Sequence, residues 1–301
     1  MAMNVTGKTA IVTGAGSGIN LCFAIKLLEK GCNVVFADLA LRPEAEAVVS
    51  KYPLTSSGAN AVFQQTDVTD WAQLDRMFAV AIEHFGGADI VCPGAGVYEP
   101  PFSNFWHPPG TLPSKDDPST SRYALLDINL THPIRVTQLA ISHFLSQKKP
   151  GSIPHITSVA GQAPFFPTPV YVATKHAISG FVRSLAKLET PPADSGLPKI
   201  RVTAVAPARI LTPLWTDNPD KMKMVGDKPG WVTPEDVALV MMDLVEGEEN
   251  IGGTILEIGR TVRRVQPYDD PGPRRGGNFV ENDPGFEDDM WKQLKKQFDG
   301  E

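Results

Sequence analysis

Two groups of residues have the types and spacing to do chemistry. The first is Tyr171-Val-Ala-Thr-Lys175. On a helix, positions four apart share a face, so the lysine ammonium would lie near the phenol. A phenol titrates near ~10 and is a poor base at neutral pH, and an adjacent cation lowers that value. A tyrosine tuned this way passes a proton to or from an alcohol oxygen. The same pair also arises by chance on half-buried helix faces, so alone it does not decide. The second group is the turn Gly14-Ala15-Gly16-Ser17-Gly18, followed by Asp38. Glycines there let backbone approach a pyrophosphate, and the helix that follows offers unpaired N–H groups at its positive end. An acid at the end of the next strand accepts hydrogen bonds from a ribose diol. Together these features predict dinucleotide binding. The Asp38 carboxylate repels a 2′-phosphate and favours NAD, whereas Arg42, four residues on, would offset that and keep NADP possible.

These residues need elements to hold them. Residues 9–12 form a short apolar run ending in the glycine turn, and Ile19, Phe23, Leu27 and Leu28 then recur at helical spacing up to Gly31. Residues 33–37 read as the next strand, which completes a βαβ unit. The alternation continues. Residues 61–63 predict a strand, and Asp70 caps a helix reaching His84. Residues 89–92 predict the next strand, and Ser121 is expected to cap a long helix to about Ser146. Residues 152–157 predict a strand despite Pro154, then a helix runs from Pro169 to about Glu189. Further strands are expected at 200–205 and 254–258, with Thr233-Pro234-Glu235-Asp236 opening a helix between them. The fold class predicted is α/β, a Rossmann-type doubly wound sheet of seven mainly parallel strands with helices on both faces.

At 301 residues, a rule of about 150 per domain suggests two domains. The alternation instead predicts one domain over 1–260 and an extension over 261–301. In that extension Phe286, Met290, Leu294 and Phe298 recur every four residues, the signal of an amphipathic helix that either docks or hangs loosely. Net charge is −6, which gives no footprint for nucleic acid or anionic lipid. No apolar run is long enough for a membrane span, and the N-terminus shows no basic-then-apolar pattern, so a cytoplasmic protein is expected. Cys22, Cys32 and Cys92 have no metal-like spacing, and no metal is expected. Proline is in excess, 27 residues where about 5% is usual, and seven of them lie between Pro93 and Pro118.

Thr13-Gly14-x-x-x-Gly18, Asp67-Val68, Ala95-Gly96, Asn129, Ser158, Tyr171-x-x-x-Lys175 and Pro207-x-x-x-x-Thr212 occur in that order. As a set they resemble the short-chain dehydrogenase/reductase family over about residues 5–260, especially its 15-hydroxyprostaglandin dehydrogenase-like and hydroxyaverantin dehydrogenase-like branch. The resemblance implies an NAD(P)-dependent oxidoreductase that interconverts a secondary alcohol and a ketone. Tyr171 would be the general acid/base, and Lys175 would lower its pKa and bind the nicotinamide ribose. Ser158 would hold the substrate oxygen, and Asn129 a water linking Lys175 to solvent. Gly14, Ser17, Gly18, Ile19, Asp38 and Gly94 would contact the dinucleotide, Asp67 and Val68 would flank its adenine, and Ile210 and Thr212 would meet the carboxamide. A homodimer or homotetramer acting on a small molecule is also implied. Pro133 has no N–H, so the Asn129 carbonyl loses its helical donor and either binds that relay water or merely marks a kink.

Three positions depart from the family pattern. Asn20 replaces the third glycine of the turn, Pro93-Gly94 replaces two asparagines, and Ala208 replaces a glycine. They leave open a non-redox protein on the same fold, a cyclase or a dinucleotide-dependent binding module. On the substrate side, Tyr98, Phe102, Phe105, Trp106, Phe165, Phe166, Leu214 and Trp215 follow strand ends. They either pack the loops down or form a crevice for a bulky apolar or aromatic substrate, possible in secondary metabolism.

Overall fold

A computed structural model describes residues 2–54, 57–217, 231–267 and 284–299. The first βαβ unit is β1 (Thr9–Thr13), α1 (Gly18–Glu29) and β2 (Asn33–Asp38). After it come α2 (Pro43–Lys51), β3 (Ala61–Gln65), α3 (Trp71–Phe85) and β4 (Ile90–Cys92). The second half holds α4 (Ala124–Leu126), a π-helical turn (Asp127–Thr131), α5 (His132–Ser146), β5 (Gly151–Ile156) and α6 (Pro169–Ser184). It closes with β6 (Ile200–Pro207), α7 (Pro213–Thr216), α8 (Pro234–Glu246), β7 (Ile255–Ile258), β8 (Val262–Arg264) and α9 (Pro284–Asp299).

The strands form one sheet in the order β3-β2-β1-β4-β5-β6-β7-β8. Its alternate faces bury two apolar clusters. One packs α1 and α8 beneath Ala10, Val12, Val34 and Phe36, and the other packs α3, α5 and α6 over Ile11, Val35, Val91 and Val202. This is the doubly wound arrangement, whose crevice opens at the carboxyl ends of the strands where the order reverses, here between β1 and β4. There β4 pairs with β5 only at Ile90 and Ser152, and beyond that bridge the two chains part.

The sheet has eight strands, one more than the seven predicted. Strand β8 turns back antiparallel on β7, with Ile258 opposite Val262 and Leu256 opposite Arg264. Its three residues are all exposed, so it carries neither apolar alternation nor a buried run. Helix α2 also escaped prediction, because Ala45 is its one buried residue and no amphipathic stripe marks it.

The expected Ser121 cap is wrong. Ser121 ends a 3-10 turn with φ 53, and the helix starts three residues later. Its first N–H groups are instead met from the proline-rich loop. Asp116 Oδ1 accepts from Ala124 N–H at 2.9 Å, and Ser103 Oγ accepts from Leu125 N–H at 3.0 Å while donating to Asp116 Oδ2 at 2.8 Å. Two expected caps hold: Asp70 accepts from Ala72 and Gln73, and Thr233 and Asp236 form a reciprocal capping box.

Among the described residues no helix is long and apolar enough to cross a membrane. Terminal helix α9 lies against α5, with the Lys148 ammonium 5.1 Å from the Phe298 ring centre. The side chains of Phe286 and Met290, which helped define its pattern, lie outside the described residues.

Candidate active site

The cleft at the carboxyl ends of the strands encloses about 380 Å³. Gly14, Ser17, Gly18, Ile19, Asp38, Asp67, Val68 and Gly94 line one end and Ser158, Tyr171 and Lys175 the other, while Ile210 and Thr212 also line the cleft, with Thr212 beside Gly18. Asn129 stands behind this wall, 2% exposed, while its neighbour Ile128 lines the cleft.

The glycine turn is a cradle that a side chain would fill. A Cβ on Gly16 would sit 2.4 Å from the Ala40 carbonyl and 2.9 Å from Asp38 Oδ2, and Gly14 and Gly18 hold φ of +72 and +60. Asp38 braces this turn, its Oδ2 accepting from Gly16 N–H at 2.8 Å and its Oδ1 from Leu39 N–H at 2.7 Å. Each carboxylate oxygen retains lone-pair capacity for a diol. Arg42, which could have offset the Asp38 charge, forms an ion pair with Asp217. Asp67 is fixed by Thr69, whose N–H and hydroxyl donate to Oδ1 at 2.9 and 2.7 Å. The residues therefore fit a dinucleotide, with the diol end at Asp38 and the diphosphate at the N-terminus of α1.

At the other end, α6 carries Tyr171 and Lys175 on one face. The Lys175 ammonium donates to the Ile156 carbonyl at 2.9 Å and lies 5.5 Å from the centre of the Tyr171 ring, over its face. Burial brings this lysine down to about 8. Tyr171 goes the other way, pushed up to about 12 by its apolar surroundings, with the Ser158 hydroxyl pulling it down. The expected lowering by Lys175 is thus absent in this ligand-free geometry, because desolvation dominates. Ser158 accepts from Ala160 N–H at 3.1 Å, which presents its hydroxyl at the end of β5.

Asn129 is held by a two-point clasp. Its Oδ1 accepts from Val97 N–H at 2.8 Å and its Nδ2 donates to the Val97 carbonyl at 2.7 Å. The clasp ties Asn129 to the loop after β4 at both ends of its amide. Pro133 does more than kink the helix, since the chain widens into a π turn in which His132 N–H bonds the Asp127 carbonyl. The Ile128 carbonyl then has neither an α-helical donor, already spent on Asp127, nor a π-helical one, because that residue is proline. The His132 ring takes it, Nδ1 to oxygen at 3.0 Å. A carbonyl only accepts, so Nδ1 carries the proton and Nε2 accepts from Thr13 Oγ1 at 3.1 Å. Thr13 in turn accepts from Ala95 N–H at 3.1 Å. Burial pushes His132 down to about 4, which keeps it neutral at working pH.

Sequence reasoning missed this histidine and also Glu99. Glu99 is 2% exposed with φ +33, and its two oxygens accept from Phe105 N–H at 3.1 Å and Tyr171 N–H at 2.9 Å. It therefore supplies the missing cap of α6, where Thr168 makes no side-chain bond. Next to it, Tyr98 meets the Tyr171 ring edge-on at 4.7 Å. An acid directly after an aromatic in a loop past β4 was the available signal, but nothing local shows that its partner lies 72 residues away. Among the described residues no cluster of three or more His, Cys, Asp or Glu side chains could hold a metal.

Comparison with known proteins agrees with this geometry. The sequence profile of the short chain dehydrogenase family matches residues 8–223. Human 15-hydroxyprostaglandin dehydrogenase [NAD(+)] is 31% identical over 272 residues, covering 85% of this chain and 92% of that protein. (-)-trans-Carveol dehydrogenase of Rhodococcus erythropolis is 30% identical, over 70% of this chain and 73% of that protein. Among solved structures, a 3-ketoacyl-(acyl-carrier-protein) reductase from Brucella melitensis, complexed with NADH, shares the fold with a TM-score of 0.65. It is 24% identical and covers 85% of this chain and 98% of that one. On sequence profile, relatives and fold together, the chain belongs to the short-chain dehydrogenase/reductase family.

Proposed function

We propose that the protein is an NAD-dependent alcohol dehydrogenase acting on a bulky apolar or aromatic secondary alcohol. The observation that carries this reading is the convergence of Ser158, Tyr171 and Lys175 on one end of a cleft whose other end is a glycine cradle braced by Asp38. NAD, when bound, supplies the acceptor for the hydride that leaves the carbinol carbon. The Ser158 hydroxyl holds the substrate oxygen, and Tyr171 takes its proton. Lys175, whose ammonium is buried beside the phenol, stabilises the phenolate that the proton transfer requires. The proton then leaves past Lys175 toward the Asn129 carbonyl, with the Asn129 side chain held by Val97 and the preceding Ile128 carbonyl held by His132.

The substrate class is supported by an aromatic cluster on the loops that follow β4 and β5, the loops that also bring Val97 and Ser158 to the cleft. Trp106 packs edge-on against Phe105 at 4.9 Å and against Phe166 at 5.0 Å, which joins the loop after β4 to the loop after β5. Phe165 and Phe166 stay 48% and 80% exposed, an apolar rim with room for an aromatic or alicyclic body. Leu214 also lines the cleft, whereas the side chain of Trp215 lies outside the described residues. Replacing Trp106 with alanine should raise KM for a naphthyl secondary alcohol about tenfold, the size of one lost aromatic contact, and leave that for 2-butanol within about twofold. Equal changes for both would remove the rim from substrate recognition.

The decisive assay follows reduced-nicotinamide absorbance with a panel of secondary alcohols. Tight NADH binding without turnover of any of them would refute the dehydrogenase reading. Asp38→Ala should narrow the NAD/NADP preference about tenfold or more, since it removes both the diol acceptor and the charge that repels a 2′-phosphate. An unchanged ratio of kcat/KM values would discredit that role. A homodimer or homotetramer belongs to the same proposal, and light scattering counts the copies directly.

A further inference from the structure

Asn20 stands in the third residue of α1, where the family pattern has glycine, and is 8% exposed. Its Oδ1 is buried with no hydrogen-bond partner among the described residues. The carboxamide lies between two glycines. A Cβ added to Gly94 would sit 2.1 Å from Asn20 Oδ1 and 2.6 Å from its Cγ, and one added to Gly14 would sit 2.9 Å from Nδ2. All three residues line the dinucleotide end of the cleft. Two departures from the family pattern, the extra side chain at 20 and the missing one at 94, are therefore one change. The amide arrives from α1, and position 94 is bare to admit it.

Among the described residues the amide makes no hydrogen bond. A buried polar group without a partner destabilises the fold that holds it, so its partner belongs to what enters the cleft. A nicotinamide dinucleotide brings ribose hydroxyls that donate and phosphate oxygens that accept, and a carboxamide answers both whichever way it is turned. We infer that Asn20 is a dinucleotide-contacting residue of this chain and that Gly94 is its spatial counterpart. The inference rests on the dinucleotide reading of the cleft.

The test is an NADH titration by fluorescence, with melting of the ligand-free protein in parallel. Asn20→Leu keeps the branched shape and removes the polar atoms. It should melt at or above the wild-type temperature and bind NADH about tenfold more weakly, the worth of one hydrogen bond to the ligand. Wild-type NADH affinity in Asn20→Leu would overturn the inference and reduce Asn20 to a plug. Gly94→Ala should lose NADH binding beside Asn20 and regain much of it beside Asn20→Gly, and equal loss in both backgrounds would dissolve the pairing. Wild-type protein binding neither NADH nor NADPH would overturn the dinucleotide reading itself, and the inference with it.

Discussion

Tyr171→Phe should lower kcat by about 10³-fold or more, at the strong end of what a general acid/base supplies, and leave the NADH dissociation constant within about twofold of wild type. The substitution removes one oxygen and keeps the ring. The edge-on contact with Tyr98 and the Glu99 bond to the Tyr171 N–H both survive, so helix and loop keep their places. The split between lost chemistry and retained binding identifies the phenol as the proton carrier, because Ser158 still orients the substrate and the glycine cradle is untouched. Steady-state rates with NADH titration measure both halves. A variant that keeps even a tenth of the wild-type kcat would transfer the base role elsewhere, and one that lost NADH binding in parallel would point to a collapsed cleft.

Lys175→Met should lower kcat by about 10²-fold or more, yet stabilise the fold near neutral pH. The ammonium is 8% exposed, and burial brings it from 10.5 to about 8. Below pH 8 both the folded and unfolded chains carry the charge, and the folded state alone bears its desolvation. Between 8 and 10.5 the folded protein has released the proton while the unfolded chain still holds it, so the lysine's contribution to stability rises with pH through that window. Integrated over the window the effect is about 3 kcal/mol. Tyr171 and the thiols of Cys22, Cys32 and Cys92, all raised by burial, act oppositely once the unfolded chain ionises, the thiols from about pH 9, but they do so in wild type and variant alike. Between pH 8 and 10 the melting temperature of wild type should rise relative to that of Lys175→Met. The variant should melt several degrees higher at pH 7, at about 2–4 °C per kcal/mol for a chain of this size. Matching slopes in the two proteins would mean that the lysine is not the buried charge.

What could be read in advance follows the range of the forces involved. The glycine turn, Asp38 and the Tyr171–Lys175 pair are legible because each depends on neighbours within one βαβ unit or one helical turn. The main strands are legible because a sheet covered on both faces demands apolar runs such as Val34 to Ala37, buried throughout. Features held by distant partners were hidden. Glu99 looks like a loop acid until α6 is brought to it, and Ser121 looks like a cap until Asp116 and Ser103 displace it. Strand β8 is exposed throughout, and its arginines find Glu257 and Thr254 only once the chain has turned back on β7, so no apolar pattern marks it as a strand. The π turn was half legible. Pro133 announced a missing donor, but the answer, a ring nitrogen of the adjacent His132, required the helix to widen first.

Two acids, Glu99 and Asp116, divide the proline-rich loop into anchors and a free rim. Each is buried and spans the loop to the first turn of a helix, one carrying Tyr171 and the other leading to Asn129. Between these moorings the side chains of Phe105, Trp106 and Leu112 face outward, and only the Phe105 backbone N–H reaches an anchor, Glu99. Variation is thereby insulated from catalysis. Mutational drift at the rim can change which alcohols are accepted while the proton-transfer geometry stays put, and a randomised library at those three positions, with both acids retained, would inherit a working catalyst in most members. The same loop with either acid lost would couple every change in taste to a loss of rate.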